Sequence, residues 1–221
     1  MKIDILGCGG SFLPVIMETI HETLGSKHFR VFKNIIQKEA FDIAFKPSFF
    51  SYELFESSQH EIPNGPFVFG VPGPFAKFTV YNYFLQKYRI QLNEYTLITH
   101  PKSFISLTAI ISNAVFVEAG VNVSSQAKLG FGVTIKGNSY IGHHTEIHDF
   151  AEINPGVTIG GKTIIGRGSI IGGGSTISNN ITIGDNSYIG LGSVVTKDIP
   201  SGVIAYGNPC KPIRENDKWK I

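Results

Sequence analysis

Three of the seven histidines of this chain, His143, His144 and His148, fall within six residues of one another. Imidazole is the side chain that exchanges a proton near neutral pH. Such a cluster therefore reads as a general acid–base centre, a metal centre or a patch of surface histidines. Glu146 and Asp149 lie in the same stretch and can orient an imidazole by accepting its N–H. The two cysteines, Cys8 and Cys210, stand at opposite ends of the chain with no histidine near them in motif. Neither is expected to be a nucleophile, and no disulfide framework is expected.

The element that positions the histidines is a repeat. Stepping by six from Ile105 to Val195 meets sixteen positions, and every one is Ile, Leu or Val. Two places earlier the residue is mostly small, as at Ala151, Thr163, Ser169, Ser175, Ser187 and Ser193. The place after the aliphatic residue is often glycine, as at Gly142, Gly160, Gly166, Gly172, Gly184 and Gly190. A period of six keeps no helical face aligned. A hairpin sheet would alternate with a period of two and show turn signals every 8–12 residues or so. A coil of three flat sides fits: the aliphatic residue points inward, the small one fills the tight interior, and glycine eases the corner with a positive φ. Stacked at the strand spacing of roughly 4.8 Å, about five coils give a prism about 25 Å tall. His143, two places after Ile141, leaves the core near a corner.

Residues ahead of the repeat have another texture. Lys2–Leu6 reads as a strand, Gly7-Cys8-Gly9-Gly10-Ser11 as a glycine turn, and Leu13–Leu24 as a helix with Pro14 in its first turn. Strand, glycine turn and helix make an anion-binding geometry, or simply a tight turn. A second strand over Phe67–Val71 leads through Pro72-Gly73-Pro74 into a helix ending near Tyr88, and Tyr95–Thr99 reads as a third strand. The alternation predicts a small parallel α/β unit. The Phe- and Ser-rich stretch 38–66 has no clear assignment and is expected to contribute core aromatics.

Two sets of residues carry a resemblance. One is Gly7-x-Gly9-Gly10, Phe69-Gly70 and His100-Pro101 ahead of the repeat. The other is Ile141-Gly-His143-His144, Asp149-Phe150, Asn154-Pro155-Gly156-Val157, Gly192-Ser-Val-Val-Thr-Lys197-Asp198-Ile-Pro200 and Gly207-Asn-Pro-Cys-Lys211. Together they resemble the sialic acid O-acetyltransferase-type family, which includes bacterial nucleotide-sugar N-acetyltransferases of the bacillosamine and perosamine type. The resemblance covers nearly the whole chain. It implies a Rossmann-like α/β domain over 1–102, a left-handed β-helix over 103–206 and a C-terminal tail over 207–221. The left hand is an exception to the usual right-handed crossover and rests on the resemblance alone.

The resemblance also implies chemistry. The expected enzyme is an acetyl-CoA-dependent acetyltransferase that N-acetylates a nucleotide-linked amino sugar for surface-glycan synthesis, with O-acetylation of a sugar as the alternative. It is expected to be a cytoplasmic homotrimer with active sites between subunits, needing no metal, nucleic acid or membrane. His143 maps onto the catalytic base. His144 stands where the family has Asp or Glu to orient that base, so Glu146 or Asp149 is expected to take the role, or the base works unaided. Glu152 falls where a second histidine meets the coenzyme thioester. Gly161 and Gly173 fall on backbone positions that meet the coenzyme, and Lys197 and Lys211 are candidates for its phosphates. Gly9, Gly10, Ser11 and Gly70 map onto sugar-nucleotide contacts. An acidic pair that reads the base should follow the second strand, and Phe29-Arg-Val-Phe-Lys33-Asn34 contains none.

Bulk properties agree with this reading and bound its rivals. The chain has 221 residues, with 42% hydrophobic and 16% charged residues, as expected of an ordered globular protein. A net charge of +2 gives no ground for nucleic-acid coating or membrane attraction. The N-terminus lacks a signal-peptide pattern, and no apolar run is long enough for a bilayer. His143 and His148 have the H-x4-H spacing of a γ-class carbonic anhydrase. Zinc there needs a third histidine about two coils earlier, and residues 101–142 contain none. A non-catalytic scaffold or coenzyme sensor is the remaining rival.

Overall fold

The computed structural model describes residues 2–9, 12–34, 49–56 and 61–221. Two-residue rungs recur every six residues from Phe104–Ile105 to Val194–Val195. Each pairs in parallel with the rung one coil on, so that Tyr140 and Ile141 face Thr158 and Ile159. The result is a three-sided parallel β-solenoid. Its first side holds Tyr140–Ile141 and equivalents, its second Glu146–Ile147, and its third Glu152–Ile153. The first side alone has six rungs, and the stack makes about six turns instead of about five. An extra rung at Ile98–Thr99 (β5) pairs with Phe116–Val117 at the top, and Val203–Gly207 adds to Tyr188–Ile189 at the bottom.

The inward aliphatic ladder is essentially dry: Val117, Ile135, Ile153, Ile171 and Ile189 are all 0% exposed. The small residues two places earlier are also buried, and those with hydroxyls do more than fit. Thr145, Thr163, Ser169 and Ser175 donate to the carbonyls of Gly160, Ser178, Gly184 and Gly190 in the next coil at 2.7–3.1 Å. These bonds satisfy polar groups that would otherwise be stranded inside.

The glycines after the aliphatic residues have a different purpose from the one expected. Left-handed φ occurs two places later, at residues such as His144, Gly156, Lys162 and Gly174. Gly142 is not among them. A Cβ on Gly142 would come within 2.5–2.8 Å of the Gly160–Gly161 backbone. Glycine is needed there because adjacent coils touch.

The N-terminal unit is a parallel sheet of β1 (Ile3–Leu6), β2 (His28–Phe32), β3 (Ser51–Phe55) and β4 (Phe67–Phe69), in the order β3-β2-β1-β4. Helices α1 (Leu13–Leu24) and α2 (Pro74–Tyr88) match the predicted spans. β2 and β3 had no strand assignment in sequence. The expected third strand divides: Tyr95 bridges Phe67 in this sheet, whereas Ile98–Thr99 belongs to the solenoid. Asp4, buried in β1, is held by Arg30 Nε and Nη2 of β2 at 2.7 and 2.6 Å. No helix among the described residues is long and apolar enough to cross a membrane.

This unit docks on the third side of the solenoid and the adjoining corner. Phe12 meets Phe116 edge-on, and Phe69, Tyr81 and Tyr95 interlock with Phe131 and Phe150. Each such pair contributes about 0.5–1.5 kcal/mol beyond its buried area. Within the seam α2 places Lys77, only 2% exposed, on its buried stripe with Val80 and Phe84. Lys77 Nζ donates to Gly132 O at 2.9 Å and Thr134 Oγ1 at 2.6 Å. Glu152 accepts from Lys136 Nζ at 2.9 Å and from the Gly73 N–H, at the start of α2, at 2.7 Å. Burial raises the Glu152 carboxyl, but Lys77, Lys136 and these hydrogen bonds outweigh it and hold it below its ordinary value.

Burial lowers the Lys77 ammonium from 10.5 to about 8, with Glu152 opposing and Lys136 assisting the shift. Between these two values the unfolded chain holds a proton that the folded chain lacks, so this group makes stability rise with pH across the window. At 1.36 kcal/mol per unit the rise reaches about 3 kcal/mol. A Lys77→Met variant is expected to lack it. Urea unfolding of both proteins across that range measures the difference, and a constant difference contradicts the expectation.

Candidate active site

His143 and His144 occupy the corner turn between the rungs Tyr140–Ile141 and Glu146–Ile147, on the edge opposite the docked N-terminal unit. The turn is fixed by its neighbours above and below. His144 N–H donates to Ser125 O at 3.0 Å, and His143 O accepts from Lys162 N–H at 2.8 Å. His144 has φ +57°, and this left-handed kink sets its ring edge-on to His143 at an interplanar angle of 89°. The two Nδ1 atoms lie 3.0 Å apart, so one ring donates its N–H to the other. Both side chains are exposed.

His143 therefore has a partner for Nδ1, which leaves Nε2 for a ligand. The partner is not a carboxylate. Glu146 Oε1 takes Lys128 Nζ at 2.7 Å, and that bond holds the Glu146 carboxyl below its ordinary value. Asp149 Oδ1 accepts the Phe131 N–H at 2.8 Å. Both acids expected to orient the base are thus engaged within the chain by other groups. His148, on the second side, stands 4.0 Å from Glu146. Among the described residues no group of three His, Cys, Asp or Glu is placed to hold a metal ion.

Gly161 lies one coil below His143. A Cβ there would come within 2.7–2.9 Å of His143 Nε2, Cε1 and Cδ2, so the imidazole rests on a bare backbone. The Gly161 N–H already donates to Asn179 Oδ1 at 2.7 Å, and its carbonyl accepts from Asn180 N–H at 3.0 Å. Lys197 is exposed on the same corner two coils further down, and Lys211 is exposed on the strand Cys210–Glu215. Gly173 sits elsewhere, at the corner between the third and first sides, 3.1 Å from Pro155 O when a Cβ is built on it. One whole flat side separates it from His143. Glu152 is 5% exposed and committed to the seam described above.

In the N-terminal unit the structure brings Gly9 and Gly70 together. Gly9 N–H donates to Gly70 O at 2.7 Å, and a Cβ on Gly70 would lie 2.2 Å from Gly7 O. Gly10 and Ser11 lie outside the described residues. Beside this clasp, at the carboxyl ends of β1, β2 and β4, is a cavity of about 220 Å³ lined in part by Cys8 and Val71. Burial pushes the Cys8 thiol up, with Glu56 assisting and Lys33 opposing, and a protonated thiol is a poor nucleophile. Sequence reasoning missed Lys77 and Lys136. For Lys77 a signal existed, because it shares the apolar stripe of α2.

The bacterial transferase hexapeptide model of six repeats matches residues 144–179 and again 162–197. This chain is a hexapeptide-repeat protein. No curated protein matches it in sequence. Among solved structures it is similar to the acetyltransferase domain of PglB from Neisseria gonorrhoeae, at 25% identity and a TM-score of 0.78 over 96% of this chain and 99% of that one. That domain is also known in complex with acetyl coenzyme A, at 21% identity and a TM-score of 0.74 over 96% and 98%. PerB from Caulobacter crescentus, in complex with CoA and GDP-perosamine, is similar at 17% identity and a TM-score of 0.69 over 96% of both chains. WeeI from Acinetobacter baumannii has 18% identity and a TM-score of 0.66 over 96% of this chain and all of that one.

The seat of His143 is directly testable in this hexapeptide-repeat protein. Gly161 does not use left-handed φ, and the atoms nearest to a Cβ built there are those of the His143 ring, so Gly161→Ala presses first on that ring. The variant is expected to keep its thermal midpoint while the His143–His144 hydrogen bond is lost. Nitrogen-15 NMR of the imidazoles reads that bond. An unchanged pair of Nδ1 signals contradicts the proposed seat.

Proposed function

We propose that this protein is an acetyl-CoA-dependent acetyltransferase whose acceptor is the amine of a nucleotide-linked sugar. The observation that carries the proposal is the exposed His143 imidazole, braced through Nδ1 by His144 and seated on Gly161. The likeness to an acetyltransferase domain solved with acetyl coenzyme A, and to a protein solved with CoA and GDP-perosamine, supports it.

His143 is the general base in this reading. An amine that attacks a thioester carbonyl must lose a proton as the new C–N bond forms, and His143 Nε2 takes it. The Nδ1 contact with His144 fixes the ring plane and spreads the charge of the imidazolium over two rings. His143 then returns the proton to the departing thiolate sulfur, which regenerates the base. Two carbonyl substituents are exchanged directly, without an acyl-enzyme. His144 is a positioning residue and replaces the carboxylate usually expected beside such a base.

A second copy of the chain is part of the proposal. His143, Gly161 and Lys197 line one corner, whereas Gly173 lines another, and a single coenzyme that meets both sets must lie between two solenoids. In the homotrimer that the family resemblance implies, each neighbouring pair of subunits in a closed ring forms one such site.

His143→Ala is expected to lower kcat by about 10²–10⁴-fold with acetyl-CoA affinity unchanged. His144→Ala should lower kcat less and leave that affinity unchanged too. Free-thiol release from acetyl-CoA, measured with uridine-, thymidine-, guanosine- and cytidine-linked amino sugars, tests the substrate. Acceleration by none of them sinks the substrate assignment. Sedimentation equilibrium tests the assembly, and a fully active monomer contradicts the shared site.

A further inference from the structure

The proton of the attacking amine has a destination in His143, but acyl transfer also moves an electron pair onto the thioester oxygen. As the amine nitrogen bonds to the carbonyl carbon, the C=O π pair becomes an oxyanion. That pair re-forms the double bond when the C–S bond breaks and the sulfur leaves with its own pair. A donor already aimed at the oxyanion lowers the barrier.

The backbone beside the base has little to offer it. The N–H groups of Gly142, His144 and Lys162 donate to Ile159 O, Ser125 O and His143 O at 2.8–3.0 Å. Gly161, whose backbone is expected to meet the coenzyme, is buried against the His143 ring. Its N–H is taken by Asn179 Oδ1 at 2.7 Å.

Asn179 is itself exposed on this corner, one coil below Gly161. Its amide has one orientation, because an N–H must meet oxygen: Oδ1 faces Gly161, and Nδ2 faces away from it. The Asn180 N–H donates to Gly161 O at 3.0 Å and ties the same two corners together through the backbone. Among the described residues Nδ2 makes no hydrogen bond, so its N–H groups are held in a set plane without a protein partner.

The same coil-to-coil bond occurs at another corner with a different residue. Between the second and third sides, Asp149 accepts from the Phe131 N–H at 2.8 Å and Asp185 from the Arg167 N–H at 2.7 Å. Each of those side chains has a carboxylate oxygen as its other arm, which repels an anion. At the corner of His143 the residue is asparagine, and the other arm is a neutral donor. Stacking the coils requires only the acceptor, so the donor is free for chemistry.

We propose that Asn179 Nδ2 donates to the oxyanion formed on the acetyl group, which makes Asn179 a catalytic residue beside His143. That assignment rests on the acetyltransferase reading above. The thioester then lies across Gly161, with the amine at His143 Nε2 and the carbonyl oxygen at Asn179.

Asn179→Asp keeps an acceptor for the Gly161 N–H, as Asp149 and Asp185 do, and replaces the donor with an oxygen. Asn179→Ala removes the donor without adding charge. Both are expected to lower kcat about 10²–10³-fold. The thermal midpoint of Asn179→Asp should match that of wild type, and Asn179→Ala should keep its affinity for CoA, which has no acetyl oxygen. Infrared difference spectra of carbon-13-labelled acetyl-CoA, bound without an acceptor, read the donor directly. The thioester carbonyl should absorb at a higher frequency in both variants than in wild type. Equal frequency and equal kcat in all three proteins point to a backbone N–H, such as that of His143, and overturn the proposal while leaving the acetyltransferase reading intact. Loss of kcat confined to Asn179→Ala, with a lowered midpoint, shows a purely structural bond and overturns it too. Where frequency and kcat disagree, kcat decides, because the oxyanion exists only during reaction; where no acceptor gives turnover, the frequency decides. Failure of the wild-type protein to bind acetyl-CoA defeats the acetyltransferase reading itself.

Discussion

Contact between successive coils is the constraint on which the rest of this molecule depends. Each aliphatic residue stacks on the one a coil below it, and a slip of a single residue would turn the whole ladder outward. The six-residue period leaves no slack, because every flat side has room for two strand residues and a turn. Where backbones touch, as at Gly142 against Gly160 and Gly161, no side chain fits. The buried hydroxyls of Thr145, Thr163 and Ser169 hold the same interval by bonding to carbonyls of the next coil. A scaffold this repetitive fixes positions at its corners as firmly as those in its core. His143 can thus be exposed and still have a defined ring plane.

The two parts of the chain divide the surface of the prism. The α/β unit covers the third side and an adjoining corner with a seam of aromatic rings. That leaves the corner of His143 and the first side open. Lys77 and Glu152 lie inside the seam, and Glu152 also accepts from Gly73, the last residue of the loop into α2 that borders the cavity of the N-terminal sheet. Burying such charges is costly unless each has partners, and here each has at least two. The seam therefore has polar contacts of fixed geometry, which set the angle at which α2 meets the solenoid.

Much of this was legible in the sequence, for a physical reason. The inward ladder repeats one residue class at one interval, so its signal adds over sixteen positions from Ile105 to Val195. The helices Leu13–Leu24 and Pro74–Tyr88 were equally clear from their prolines and terminal glycine or polar residues. Single side chains were not. The sequence showed Glu152 next to Ile153 but not Lys77 and Lys136 converging on it from seventy-five and sixteen residues away. It showed His144 in place of an acid, and Glu146 and Asp149 nearby; only the coil-to-coil spacing reveals that both acids are occupied. β2 and β3 escaped because Arg30 and Glu53 interrupt their apolar pattern, and Arg30 is tolerated inside because Asp4 pairs with it.

A stack of parallel strands has two open ends, each a row of unpaired backbone donors and acceptors that can template another chain. Here the third side is closed at both ends. At the top, β5 lies under α1, and Thr23 donates to the Thr99 carbonyl. At the bottom, Val203–Gly207 turns back on Cys210–Glu215 as an antiparallel pair. The segment beyond it folds up a corner, where Trp219 donates to Gly168 O and Asn216 to Asn186 O. A side on which every coil invites another is thereby given a finite length. The same repetition that makes the scaffold precise is kept from growing into a fibre.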